Sequence, residues 1–398
     1  MTRSYPDEFA ECRECVEVKI LLVSSSFYPK IDGSTRCVYD HARRLAQREN
    51  EVYLVTRGIV GAKQEETFEG IHIRRSSYSF RGGTLLSRIR LMIEMMLIII
   101  MLQRKEHFSV IHVHGFTAGL AALPCKYMFG VPLIVTTHGT TLLWPRKLWW
   151  KSSREIELTL IFEKFVLNHC DVVIAQSKGV KEYMLQIYGL ELENKIRIIH
   201  TGVDQEKFMV PPKEGGQPQV LFVGALSEIK GVSCLIDAFV VVHSEVPELK
   251  LVLVGSGPRA PEYKKHVQDL NLGDSVQFRG PVRDDARLLE LYKGSDIVVL
   301  PSNVGGPISC TVLEGLSCGK AVISTNVPGG IPDVLANGVG ILMRPEDSAQ
   351  LASEIRRLVT DPDYLRTLEA NARRAVEEYY TLDSMIDKLT SLYREVSA

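Results

Sequence analysis

The sequence predicts an α/β fold made of two tandem doubly wound, Rossmann-like domains with a cleft between them. Three observations predict it. Short apolar runs of strand length alternate with longer helical segments along most of the chain, the pattern of a mostly parallel sheet covered on both faces. The alternation breaks at residues 210–218 (VPPKEGGQP), a Pro- and Gly-rich stretch that reads as a linker, and then restarts. The length of 398 residues also suits two domains.

The elements follow in order. Val18–Ser24 (VKILLVS) reads as the first strand. Gly33–Asn50 follows as a helix with Val38, Ala42, Leu45 and Ala46 on one face. Val52–Thr56, Val110–His114, Leu133–Thr137, Val172–Ala175 and Ile196–Ile199 are further strands. Leu91–Leu102 (LMIEMMLIIIML) is the most apolar run; at 12 residues, with Glu94 inside it, it falls short of the ~20 needed to span a bilayer. It reads as a buried or half-buried helix. A helix lying on a bilayer surface is the alternative, because Arg81, Arg88, Arg90, Arg104 and Lys105 flank it. After the linker come strands at Val220–Val223, Leu249–Val254, Val276–Phe278, Ile297–Leu300 and Ala321–Ser324, then helices at Asp347–Thr360, Tyr364–Tyr380 and Leu382–Val396. The domains are therefore drawn at 1–209 and 210–381.

Composition narrows the function. Hydrophobic residues make up 45% and charged residues 24%, and the net charge is −1, so nothing in bulk charge argues for nucleic acid. The halves differ: residues 1–205 hold 27 Lys+Arg against 22 Asp+Glu, and residues 206–398 hold 20 against 26. The eight cysteines are scattered and read as reduced thiols of a cytoplasmic protein. Cys12-x-x-Cys15 has no second pair or histidine beside it and reads as incidental. The polar N-terminus shows no apolar signal region.

Glycine-ended strands carry the chemistry. Leu253–Ala260 (LVGSGPRA) fits GxGxxA, but the next strand ends Phe278-Arg279-Gly280 with no acid to hold a ribose, so a nicotinamide or flavin site is not expected. The wider set comprises Phe27–Gly33, Ile111–Gly115 (IHVHG), Thr136–Gly139 (TTHG), Thr201–Asp204, Phe222–Gly231 (FVGALSEIKG), Phe278–Gly280, Asp296–Ser302 and Val312–Ser324. Glycines at strand ends let the chain approach a ligand closely, and the helices that follow offer N–H groups to a phosphate. Clefts at the carboxyl ends of such strands are the default site. His112 and His114 alternate along one strand, and one is expected to face the core and the other the cleft.

Taken in this order, the motifs resemble those of the retaining glycosyltransferases of family 4, which have the GT-B fold and use nucleotide sugars; the resemblance spans residues ~18–396. It implies that the N-terminal domain binds the acceptor, that the C-terminal domain binds a UDP- or GDP-sugar, and that the final helix, 382–398, packs back on the N-terminal domain. Site residues carry over by position. Glu314 accepts from the ribose hydroxyls. Lys230 meets the diphosphate as a point charge. Backbone N–H groups around Thr311, Val312 and Leu313 add donors. Gly33 approaches the diphosphate from across the cleft, and Val282 lies by the nucleobase. His114 lies by sugar and acceptor, with His138 a second acceptor-side candidate. Catalysis is then assigned to His114, Lys230 and Glu314. The resemblance implies no metal and no cofactor, and a same-face attack in which the leaving phosphate takes the acceptor proton.

The chain departs from that pattern twice. Ala225 stands where the resemblance implies an arginine, and Gly306 where it implies the first of two glutamates separated by seven residues, the one that contacts the donor sugar. These departures support the rival reading, a catalytically silent protein that binds a nucleotide sugar or a partner subunit. An epimerase would need carboxylates placed for elimination, and no such set is visible. Finally, residues 141–154 (TLLWPRKLWWKSSR) hold Trp144, Trp149 and Trp150 with four basic residues and no acid. That is the composition of a membrane–water interface. The expected partners are thus a nucleotide sugar, a glycan or lipid-linked acceptor, and the inner face of a membrane through 141–154.

Overall fold

The structure is a computed structural model that describes residues 18–29, 33–78, 85–138, 153–211, 213 and 215–398. The Trp-rich run 141–152, Asp32, Cys12 and Cys15 lie outside the described residues.

The N-terminal unit runs β1 (Lys19–Ser24), α1 (Gly33–Gln47), β2 (Glu51–Thr56), β3 (Glu65–Phe68), β4 (Ile71–Arg75), α2 (Leu85–Glu106), β5 (Val110–His114), α3 (Phe116–Phe129), β6 (Leu133–Thr136), α4 (Ser153–His169), β7 (Val172–Ala175), α5 (Lys178–Tyr188) and β8 (Ile196–Ile198). Its sheet has the order β3-β4-β2-β1-β5-β6-β7-β8, parallel throughout except for the β3–β4 hairpin. The short turn α6 (Gln205–Phe208) leads to the second unit. That unit runs β9 (Gln219–Val223), α7 (Val232–Glu245), β10 (Lys250–Val254), α8 (Ala260–Asp269), β11 (Val276–Gly280), α9 (Asp285–Lys293), β12 (Ile297–Leu300), α10 (Cys310–Ser317), β13 (Ala321–Thr325), α11 (Gly330–Leu335), β14 (Ile341–Met343), α12 (Ser348–Thr360) and α13 (Pro362–Tyr379), with α14 (Leu382–Ser397) last. Its sheet order is β11-β10-β9-β12-β13-β14, all parallel. Two Rossmann-like α/β domains are therefore present.

The strands are near-continuous apolar runs because helices cover both faces. One face of the first sheet packs on α2–α5. The other packs on α1 and on α14, whose Leu382, Met385, Ile386, Leu389, Leu392 and Tyr393 are all buried there. The second domain has one core, joined by Val203 and Phe208 ahead of the Pro/Gly stretch and by Val210, its first residue. Both chain crossings meet at one point: Val203 N–H donates to Tyr380 O, and Leu382 N–H donates to Val203 O.

Two elements lie beyond the strands read from the sequence. The β3–β4 hairpin is one; its outer strand EETF is an exposed charged edge, and its turn uses Glu69 and Gly70 at positive φ. The three-residue β14 is the other. Helix α1 ends at Gln47, short of the expected Asn50, because Glu49 adopts a left-handed φ of 62°.

Candidate functional site

In a doubly wound sheet the ligand crevice forms where strand order reverses. The N-terminal sheet reverses between β1 and β5, so the start of α1 and the His114 end of β5 flank one crevice. The C-terminal sheet reverses between β9 and β12, so the loop carrying Lys230 and the helix α10 that follows β12 flank the other. Contacts between α1 and α10 join the two.

Backbone packing explains the glycines here. A Cβ on Gly255 would overlap the carbonyl oxygen of Gly224, and one on Gly257 would overlap that of Leu226. The GSG run thus lets two strand-end loops interlock, as Leu226 N–H donating to Ser256 O shows, rather than making room for a dinucleotide. Gly231 has φ +66° and lies against Pro301 O; it ends the 3₁₀ turn Glu228–Lys230 and fixes where Lys230 leaves the backbone.

Lys230 is partly buried. Burial pushes its ammonium below the usual lysine range, and the Cys310 thiol at the head of α10 acts in the opposite sense. Among the described residues no carboxylate pairs with it. Ser309 stands just before α10, and its side chain does not cap the helix, so the N–H groups of Thr311 and Val312 are not taken by the cap side chain. Thr311 Oγ1 donates to Val223 O at 3.1 Å, tying that turn to the end of β9. Val312 and Leu313 are buried, and Val282 packs at the edge of the same core. Lys230 and the α10 terminus therefore form one electropositive corner.

Glu314 sits one turn further along α10 and is 5% exposed. Its Oε2 accepts from the Tyr292 hydroxyl at 2.8 Å, and its Oε1 lies 3.2 Å from Nε of Arg36 on α1. Burial pushes its carboxyl above the usual range, while Arg36 and the Tyr292 hydroxyl pull it back. Arg36 also donates to Asp285 Oδ1 at 2.6 Å and lies over the Phe208 ring, and Lys207 pairs with Asp285 as well. A cavity of about 130 Å³ opens beside this bridge, lined by Tyr28, Arg36, Tyr39, Asp40, Arg283 and Asp285 among others. Lys230 does not line it. Arg36, Tyr292, Asp285 and Lys207 were not singled out from sequence; Arg36 alone had a local signal, one turn after Gly33 at the head of α1.

The histidines correct one expectation. His112 and His114 do not face opposite ways. Residues i and i+2 of a strand share a face, and the two rings lie 4.6 Å apart, both close to His41. His112 Nδ1 is 2.6 Å from the Tyr393 hydroxyl and its Nε2 is 2.7 Å from Thr136 Oγ1. The same Tyr393 hydroxyl lies 3.1 Å from His41 Nε2. His114 Nδ1 lies 2.8 Å from His138 Nε2, so the two predicted acceptor-side histidines are brought together, while His114 Nε2 is buried without a hydrogen-bond partner. Burial drives His41 to about 3 and His112 and His114 well below the usual histidine value, so all three rings are neutral. One ring nitrogen from each of His41, His112 and His114 falls within a 4.8 Å cluster, a set that suits a metal by type. Tyr393 and Thr136 already occupy both nitrogens of His112.

Comparison with known proteins decides the family. The Glycosyl transferases group 1 family matches residues 203–375, and Glycosyltransferase Family 4 matches residues 31–207. The chain belongs to glycosyltransferase family 4. This glycosyltransferase is 27% identical over 327 residues to alpha-maltose-1-phosphate synthase of Mycolicibacterium smegmatis, covering 75% of this chain and 82% of the relative. Its fold is that of sucrose-phosphate synthase from Thermosynechococcus elongatus (TM-score 0.80, 23% identity, 95% and 99% of the two chains). It is also that of Anabaena HepE in complex with UDP-glucose (TM-score 0.75, 19% identity, 95% and 99% of the two chains). The GT-B architecture is thus shared across most of the chain.

Proposed function

We propose that this glycosyltransferase moves a sugar from a UDP- or GDP-sugar to a glycan or lipid-linked acceptor, with retention at the anomeric carbon and without a metal or other cofactor. The observation that carries the donor reading is the unpaired, partly buried Lys230 beside the uncapped start of α10. A half-buried cation without a carboxylate is costly unless an anion completes it, and a diphosphate suits both groups. That Anabaena HepE is complexed with UDP-glucose supports the choice of donor class.

The roles follow from placement. Lys230 and the N–H groups of Thr311 and Val312 hold the diphosphate and stabilise charge as it leaves; the expected Leu313 N–H adds nothing, because it already donates to Ser309 O at 3.1 Å. Glu314 accepts from the ribose diol once Arg36 moves aside. Val282 borders the base, and Gly33 approaches the diphosphate at the head of α1. His114, neutral and next to His138, orients the sugar and the acceptor hydroxyl; the departing phosphate takes the acceptor proton on the face it leaves. The run 141–154, with its three tryptophans, contacts the inner face of a membrane.

The test is incubation with a panel of UDP- and GDP-sugars. Slow donor hydrolysis or transfer supports the reading, and its absence with every donor, together with absent nucleotide binding, overturns it. Binding without turnover would favour the silent nucleotide-sugar binder, which the Arg36–Glu314 bridge, Ala225 and Gly306 make the second reading. Vesicle sedimentation of a Trp149→Ser, Trp150→Ser variant tests the 141–154 contact: equal binding by both proteins overturns it.

A further inference from the structure

The N-terminal domain exposes apolar surface unevenly. Of the 19 large hydrophobic side chains exposed among the described residues, twelve lie on α2, α3 and α4, three helices on one face of the sheet. On α2 these are Leu86, Ile89, Ile93, Leu97 and Met101. At 100° per residue they fall within an arc of roughly 120°. The opposite side of α2 buries Leu91, Met95, Ile98 and Ile99 in the core. On α4, Leu158, Ile161, Phe162 and Phe165 form a second exposed stripe over buried Val166 and Leu167. Helix α3 lies between the two, packed on both, and exposes three further apolar side chains at its C-terminal end. Three neighbouring helices that expose this many large apolar side chains on one face mark an interaction site.

The charges identify what covers it. Arg90, within the stripe and over the Tyr78 ring, and Arg104, just past its C-terminal end, lie on the same side of α2 as the stripe, both exposed and ~21 Å apart along the axis. Lys105 is exposed beside Arg104. Glu94, the one acid within the stripe's length, is turned to accept from the backbone N–H groups of Ser77 and Tyr78. Glu106 pairs with Lys19 on the far side and also with Lys105, which leaves the arginines as the stripe's cations. An apolar stripe framed by arginines, its carboxylate withdrawn, complements an apolar layer beneath anionic headgroups. A symmetric second copy would set these arginines against one another. No helix of the described residues is long and apolar enough to cross a membrane, so α2 and α4 would lie flat.

We infer that the outer face of α2 and α4 is a docking surface for an anionic lipid bilayer. It deepens the membrane contact proposed above, on different residues. Helix α3, enclosed by this face, begins two residues after His114, so docking places the acceptor-side histidines one helix from the lipid surface.

The experiment uses the full chain with mixed phosphatidylcholine–phosphatidylglycerol vesicles, pure phosphatidylcholine vesicles, and a Leu97→Glu, Ile161→Glu variant. Wild type is expected to sediment with the mixed vesicles, less with the neutral ones. The variant is expected to lose at least about tenfold in partitioning, the equivalent of ~1.4 kcal/mol, with an unchanged melting temperature and unchanged hydrolysis of a soluble donor. Wild type remaining in the supernatant, or the variant sedimenting equally, overturns the inference. So does equal binding to neutral vesicles, or a lipid-free wild-type dimer that the variant dissolves. Absent hydrolysis of every donor together with absent nucleotide binding in both proteins would instead overturn the transferase reading and leave the docking result standing.

Discussion

Arg36 and Glu314 are 278 positions apart in sequence and 3.2 Å apart in space, joining the first helix of one domain to α10 of the other. The bridge links α1 to α10 across the cleft, on the carboxylate that the proposed function gives to a ribose diol.

Removing one partner of a buried ion pair leaves the other charge uncompensated, at a cost of about 3 kcal/mol. Tyr292 supplies Glu314 with a single hydrogen bond, whose loss costs roughly 1–2 kcal/mol. Arg36→Ala is therefore expected to lower the thermal midpoint more than Tyr292→Phe, and the two effects should not add, since both act on one carboxylate. Thermal melts of the two single variants and the double variant check this. Strict additivity would mean that the groups do not share Glu314.

Lys230→Met should separate binding from folding. The ammonium has no carboxylate partner among the described residues, and burial already opposes its charge. The melting temperature is expected to hold or rise, because a half-buried charge is replaced by an apolar side chain of similar length. Affinity for UDP or GDP should fall about ten- to a hundredfold, the loss of a charge-assisted hydrogen bond. Calorimetric titration measures the second effect. A destabilised variant with unchanged nucleotide affinity would make Lys230 structural.

The backbone plan was legible in the sequence because parallel strands covered on both faces are written as unbroken apolar runs: Val110–His114, Val172–Ala175 and Ile297–Leu300 fall where expected to the residue. The hairpin Glu65–Arg75 was not, because a charged edge strand carries no such run. Lys230 and the start of α10 were reached through the family resemblance, whose motifs are short and local. The Arg36–Glu314–Tyr292 set could not, since its members come from three helices in two domains. Nor could the Tyr393 hydroxyl between His41 and His112, which requires the last helix to return to the first sheet.

Histidines held neutral by burial make stability depend on pH in a definite direction. Their folded values lie below 6.5: about 3 for His41 and well below the usual value for His112 and His114. Above pH 6.5 neither state is protonated and nothing is lost. Below it the unfolded chain takes up protons that the folded chain refuses, so stability falls as pH drops, by up to ~1.4 kcal/mol per pH unit per histidine. His41→Phe should remove about a third of that slope. Denaturant midpoints at pH 7 and pH 5 measure it, and a wild-type protein equally stable at both would show that the cluster is protonated in place.

Gly306 offers the most direct test of the departure from the family pattern. A Cβ built there meets nothing within 4 Å, and its φ is not among the positive ones, so a side chain costs little. The partner glycine is different: Gly329, bridged to Gly306, has φ +130° and its Cβ would strike Gly306 O. Gly306→Glu is therefore expected to fold with a stability change within ~0.5 kcal/mol, whereas Gly329→Ala should lose several times that. The carboxylate of Gly306→Glu would enter the space that the family resemblance gives to a contact with the donor sugar. If the sugar binds there, donor turnover should change by at least about tenfold, the weight of one charged hydrogen bond. Hydrolysis rates of wild type and variant across the donor panel measure it. An unchanged profile in a well-folded Gly306→Glu protein would place the sugar elsewhere, and would remove the missing glutamate as a reason to doubt that the enzyme is active.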